Sequence, residues 1–278
     1  MNAATGAAPS RLPHGVLAST VIGIAAAACG WLLNGLGPVV TVDYTRLDQI
    51  AALVVGGVVG GAVIAARAFR QRQDVVFGAV AGALFGGVGA LCGASLLAFI
   101  HTSASPRIFL IERVAAWAFS AGGTTTFLAA FIHGRPSRRI AESALIACGG
   151  GAIAGVIFTL PGATDVWQAV ASLWFGGTVG FAVSGPELWH ATATIELLPA
   201  RGEEPSLLTL REWPLDDGKV LALGEAQVAC VSGRIALYPP AGGVVASGHN
   251  VRHPTFIAAS GTIAVGRTRY HLRVLRAP

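Results

Sequence analysis

The sequence predicts an α-helical membrane bundle followed by a small all-β sandwich. Three observations carry that prediction. The chain of 278 residues is 53% hydrophobic and only 12% charged, against roughly 25% charged residues in an average soluble domain. Its first two thirds hold six apolar runs, and its last third breaks into short alternating segments. A glycine pair also recurs in every second run: Gly56-Gly57 in VVGGVVGGAV, Gly122-Gly123 in FSAGGTTTF and Gly176-Gly177 in WFGGTVGF.

The six runs are Gly15–Leu36, Gln49–Ala66, Val75–Ile100, Val114–Ile132, Ser143–Leu160 and Val166–Val183. A bilayer core takes about 20 residues of helix, and each run is close to that length. In hydrocarbon a single segment satisfies its backbone polar groups only as a helix, so helices are expected despite the many glycines. Arg11 and His14 before the first run, and Ala26-Ala27-Ala28-Cys29 within it, offer a rival expectation of a lipoprotein-type cleavage at Cys29. Ala26 stands where a larger aliphatic residue is usual, and the run continues through Trp31-Leu32-Leu33, so a retained helix is expected.

The second members of the three pairs read QIAALVVGGVVGGAV, RVAAWAFSAGGTTTF and WQAVASLWFGGTVGF. Gly56, Gly57, Gly60, Gly122, Gly123, Gly176, Gly177 and Gly180 are assigned to helix packing, because glycine lets helix backbones approach closely. Gly78, Gly82, Gly86 and Gly89 in the third run, and Gly151 and Gly155 in the fifth, give the first members a similar small-residue spacing. Each pair is a complete hairpin, so the copies enter the membrane in the same direction. Parallel repeats of this kind predict pseudo-threefold packing. Thr124, Thr125 and Thr126 form a polar run at depth, either bonding helix backbone or lining a polar path. Trp117, Trp167, Trp174 and Trp189 are expected as interface or packing residues.

Cys29, Cys92 and Cys148 each lie in the first run of a hairpin and are expected as buried small hydrophobes, while Cys230 lies in the tail. No CxxC or Cys/His spacing suggests a metal, and no cofactor is expected. Ser120 and Ser172 have no histidine at depth, so no catalytic residue is assigned and a non-enzymatic protein is expected. The net charge of +5 records orientation rather than nucleic-acid binding. Arg67, Arg70 and Arg72 follow the second run, and Arg135, Arg138 and Arg139 follow the fourth, while the opposite loops are mixed or acidic. The positive-inside rule then puts both termini in the cytoplasm of a multi-pass inner-membrane protein. The expected organisation is a cytoplasmic segment 1–14, a membrane domain 15–189 and a cytoplasmic β domain 190–278.

In the tail, Asp216-Asp217-Gly218 feeds the apolar run Lys219–Leu223, a turn followed by a strand. Further strands are expected at Ala226–Val231, Arg234–Tyr238, Gly243–Ala246, Thr255–Ala258, Thr262–Val265 and Arg269–Leu275. Short strands at regular spacing point to a sandwich.

The ending Ser260–Val274, SGTIAVGRTRYHLRV, resembles the last two strands of forkhead-associated domains, and Lys219–Gly224, KVLALG, resembles the strand leading to their phosphate-binding arginine. The resemblance implies a β-sandwich that binds protein partners. Gly224-Glu225 stands at the family's Gly-Arg, Ser232 at its serine, Ile235 at its histidine, and Asn250-Val251 at its Asn-Gly. An anion at the phosphate-binding position predicts little phosphopeptide binding. Ser232, Asn250, Arg252, Arg267 and Arg269 remain as candidates for a partner or an anion. Arg252, His253, Arg267, Arg269 and Arg273 together form a basic set that is either a solvated face or a contact with an anionic leaflet. The expected function is a membrane scaffold or adaptor with a cytoplasmic protein partner, or a subunit of a membrane complex. The alternative is a small channel or transporter with a regulatory β domain.

Overall fold

A computed structural model describes residues 14–34, 44–71, 73–100, 106–133, 138–159, 165–198 and 211–275. Arg11, Leu36, Arg72, Arg135, Leu160 and the whole of Pro161–Thr164 lie outside the described residues. Six helices follow one another: α1 His14–Asn34, α2 Tyr44–Gln71, α3 Val75–Ile100, α4 Pro106–His133, α5 Arg138–Phe158 and α6 Asp165–Trp189. Each contains a stretch long and apolar enough to cross a membrane. Helices α2, α4 and α6 run past the apolar limits read from sequence. A helix can continue through the interface once its polar residues reach water, so hydropathy marks the hydrocarbon-crossing part and not the helix end.

The helices form a closed ring in which each packs on the next and α6 packs back on α1. Helices α2, α4 and α6 also touch one another, so the three glycine-pair helices form an inner triangle with α1, α3 and α5 outside. This is the threefold hairpin arrangement that the repeat predicts. The triangle is filled by Val59 and Val63 of α2, Ala121 and Leu128 of α4, and Val179 and Val183 of α6, all buried. Outward residues such as Val76, Phe77, Val80 and Leu84 of α3 are exposed as a lipid-facing side requires.

Cys29 and Cys92 are corrections, because both face outward, while Cys148 is half-buried and Cys230 buried. A small apolar thiol is as compatible with lipid as with a helix interface, so membership of an apolar run does not fix the side it faces.

The tail folds as two antiparallel sheets. The strands are β1 Ala193–Leu197, β2 Arg211–Leu215, β3 Val220–Leu223, β4 Ala226–Val231, β5 Arg234–Tyr238, β6 Val244–Ala246, β7 His249–Val251, β8 Thr255–Ile257, β9 Gly261–Val265 and β10 Thr268–Val274. One sheet has the order β2-β1-β10-β9-β6-β7 and the other β3-β4-β5-β8. Leu223, Val228, Cys230, Ile235 and Leu237 of the four-stranded sheet meet Ile195, Leu215, Val244, Ile263 and Leu272 of the six-stranded sheet in one core. The alternation in β3, β4 and β5 sets this up, since period-two spacing sends every second side chain inward.

Strands β2 and β7 were not visible in the sequence. Both are edges of the six-stranded sheet. Pro214 interrupts the apolar texture of β2, which an edge tolerates because one side of the strand needs no ladder donor. Strand β7 opens with the polar pair His249-Asn250, which carries no apolar alternation. The turns at Ser232-Gly233 (φ 52° and 73°) and Ser247-Gly248 (φ 49° and 84°) have both central residues left-handed. That is the mirror-image turn geometry whose twist matches a two-residue hairpin.

Candidate functional site

The strand pairings divide the β domain into two ends. Gly218 N–H donates to the Cys230 carbonyl at 2.8 Å, and Gly233 N–H donates to Asp217 Oδ1 at 3.1 Å. The β2–β3 and β4–β5 turns are therefore stacked at one end. Arg139 in the first turn of α5 joins Asp216 there at 2.9 Å, making it the end nearest the bundle. A second tie lies beside it, where His190 just beyond α6 meets Glu142 of α5 at 2.6 Å. Glu142 is also paired with Arg138 at 2.8 Å. Strands β3, β5, β7 and β9 run away from the bundle end, so the β3–β4, β5–β6, β7–β8 and β9–β10 connections gather at the far end.

The candidate binding residues divide between these ends. Ser232 lies exposed in the β4–β5 turn, at the bundle end. Arg252 follows β7, and Arg267 lies in the β9–β10 turn, both exposed at the far end. Arg269 opens the same end on the outer face of β10, opposite Ala264. Asn250 sits in β7 facing Val245, and its Oδ1 comes close to Gly243, whose φ of 79° leaves no room for a side chain. Glu225 shares the far end: Gly224 lies over Val265, so the β3–β4 and β9–β10 turns are neighbours. Ser232 is thus separated from the arginines, and no single cluster holds all five residues. Sequence spacing could not show this, because hairpin turns alternate between the two ends of a sandwich.

In the bundle the glycines lie where helix backbones cross. A methyl group on Gly60 would run into the Gly82 carbonyl and the Gly86 Cα, and one on Gly56 would meet Ala90 and the Gly86 carbonyl. Gly123 faces the Gly89 carbonyl of α3, while Gly122 faces Cys148 of α5, so this pair divides between two neighbours. Gly176 lies against Gly23 of α1, Gly177 against Ile24, and Gly180 against the Ser19 carbonyl. Gly57 meets α3 more loosely, with the Ala83 carbonyl 3.3 Å from a built Cβ.

The threonine run does not form a single wall. Thr124 Oγ1 donates across to the Gly86 carbonyl of α3 at 3.3 Å, and Thr126 Oγ1 donates to the Gly122 carbonyl of its own helix at 2.7 Å. Thr125 is fully buried, and its hydroxyl has no hydrogen-bond partner. Successive helical residues point about 100° apart, so three in a row cannot share a face. Trp117 packs on Phe158 and Phe175, and Trp174 Nε1 donates to the Gly150 carbonyl of α5 at 3.1 Å.

A polar lock that sequence reading missed lies at the bundle end shared with the β domain. Arg70 near the end of α2 is 9% exposed. Its Nη1 donates to the Gly15 carbonyl and its Nη2 to Ser19 Oγ, both at 2.8 Å. Ser184 Oγ of α6 donates to the same Ser19 Oγ at 2.8 Å. The guanidinium therefore fastens α2 to α1, and Ser19 carries the link on to α6 where the ring closes. In the sequence Arg70 is simply one member of an orienting cluster. Among the described residues no group of three His, Cys, Asp or Glu side chains could hold a metal. A comparison of the chain with protein-family models, curated proteins and solved structures returns no match.

Proposed function

We propose that this chain is a non-enzymatic membrane scaffold whose β domain, related to forkhead-associated domains, presents its far loops to an acidic protein partner in the cytoplasm. The observation that carries the proposal is the filled centre of the helical ring. The inner triangle is occupied by fully buried Val59, Val63, Leu128 and Val179, and the seams around it are closed by backbone-to-backbone glycine contacts. Such a bundle serves as an anchor. The threonines favour the same conclusion, since two of the three hydroxyls are bonded to helix carbonyls.

Two features favour the β domain as the working part. Its bundle-facing end is occupied by the Arg139–Asp216 tie, whereas its far end carries exposed Arg252 and Arg267. Glu225, in the turn neighbouring that of Arg267, disfavours a phosphate dianion, so the partner surface is read as carboxylate-rich protein rather than phosphothreonine. The arginine clusters at the ends of α2 and α5 lie on the same side of the bundle as the β domain, which supports a cytoplasmic tail.

The test is photo-crosslinking in cells, with a benzophenone amino acid at exposed Gly242 in the far β5–β6 loop of the full chain. A discrete protein adduct is expected, and it should be lost in Arg252→Glu/Arg267→Glu. An adduct unchanged by that double substitution would remove the far-end site. Solute or ion flux through the purified chain in liposomes would replace the scaffold with a transporter.

A further inference from the structure

The outer faces of the two sheets differ. That of the six-stranded sheet is polar, with Glu196, His271 and Thr262 in register across β1, β10 and β9. That of the four-stranded sheet carries an apolar row: Val220, Ala229, Ala236 and Phe256 stand in register across all four strands, with the two alanines buried and Val220 and Phe256 exposed. At the bundle end of this face Val220 is 58% exposed and Val231 46% exposed. Exposed Lys219 and Arg234 flank them, Arg234 directly opposite Val231 in the ladder.

The height of this corner is set by contacts already described. Asp216 is bonded to Arg139, the second residue of α5, and Gly233 to Asp217. The stretch of α5 long and apolar enough to cross a membrane begins at Arg138, and its uninterrupted apolar run begins at Ser143. A strand advances about 3.3 Å per residue, so Lys219, Val220, Val231 and Arg234 lie within a few residues of the level where α5 enters the bilayer. A headgroup layer is several ångströms deep, taking a hydrocarbon core of about 30 Å within about 40–45 Å overall. The corner therefore lies in or against that layer.

We propose that the Lys219, Val220, Val231 and Arg234 corner of the four-stranded sheet rests on the anionic lipid headgroups of the membrane that holds the bundle. The two valines enter the headgroup boundary, as the apolar side of an interfacial segment does. Lys219 and Arg234 pair with lipid phosphates beside them. Nearby acids are already engaged: Asp216 by Arg139, Glu142 by His190 and Arg138, and Asp217 as acceptor of the Gly233 N–H. The β domain is thus held by protein contacts on one side and by lipid on the other, with its far loops turned away from the membrane.

The experiment uses the full chain in nanodiscs of mixed phosphatidylglycerol and phosphatidylcholine, with a photoactivatable benzophenone residue in place of Val231, Val220 or Gly242. Lipid adducts read by mass spectrometry are expected at 231 and 220 and not at 242. Lys219→Glu/Arg234→Glu should lower the yield at 231 by about fivefold or more for the loss of basic anchoring, and pure phosphatidylcholine discs should do the same. Equal lipid yields at 231 and 242 would overturn the proposal. So would a crosslink from both 231 and 220 to a second copy of the chain in place of lipid. The two probe sites are in different strands, so a folding defect from one bulky residue leaves the other as the measurement.

Discussion

Replacing Gly60 by alanine tests the glycine seams most directly. The added methyl would stand 2.9 Å from the Gly86 Cα and 3.3 Å from the Gly82 carbonyl carbon, and closer still to the Gly82 oxygen, where ordinary contact begins at 3.4 Å. All three atoms are backbone, so no side chain can rotate away. Helix α3 must retreat by at least half an ångström, and a gap of about 0.5–1 Å forfeits a quarter to a half of the dispersion well for every atom pair along the seam. Overpacking of this kind costs about 1–3 kcal/mol. The better helix propensity of alanine returns up to about 1 kcal/mol, so at full offset the net loss for Gly60→Ala is up to about 2 kcal/mol. Gly149 of α5 is the control, because a methyl there meets nothing within 4 Å. Gly149→Ala should be neutral or more stable by up to about 1 kcal/mol. Reversible unfolding in mixed dodecyl sulfate and nonionic micelles, followed by tryptophan fluorescence, resolves a difference of that size. Equal midpoints for the two variants would refute backbone-to-backbone packing at the α2–α3 seam.

Removing the guanidinium in Arg70→Ala should destabilise the bundle by about 1.5–3 kcal/mol in the same titration, because charge-assisted bonds to the Gly15 carbonyl and Ser19 are lost together. Thr125→Val should leave stability unchanged or slightly raised, since its hydroxyl is buried without a partner, whereas Thr124→Val should cost about 0.5–1.5 kcal/mol through its bond to Gly86. A double-mutant cycle on Arg139→Ala and Asp216→Ala should give a coupling of about 0.5–1 kcal/mol. Its second readout is faster proteolysis between α6 and β1, and protease resistance identical to the parent in both single variants would remove the tie.

Much of the bundle is legible in the sequence because two strong physical rules act there. Lipid forces long apolar helices, and a repeated Gly-Gly at matching depth identifies which helix of each hairpin meets its neighbours most closely. The direction of each contact is not legible. Gly122 and Gly123 are adjacent in sequence yet face α5 and α3, because neighbouring residues on a helix diverge by about 100°. The lock at Arg70 is hidden for a related reason: its partners, Gly15 and Ser19, are over fifty residues away and carry no distinctive pattern. In the β domain the alternating strands are visible, while β2 is obscured by Pro214 and β7 by its polar residues His249 and Asn250. Ser232 resembles a binding serine by spacing, but register places it at the wrong end to join Arg252 and Arg267.

The closure of the ring by α1 against α6 makes the bundle an object that its own synthesis completes late. Gly23 and Gly176 stand against each other across the whole length of the membrane domain, and chains are made from the N-terminus onward. Until α6 arrives, α1 presents its glycine face to lipid and Arg70 lacks the Ser184 end of its network. The β domain is made after that last helix. A β domain seated on Arg139 and His190 therefore follows a ring that already has all six staves, and a stalled or truncated membrane domain has none to display.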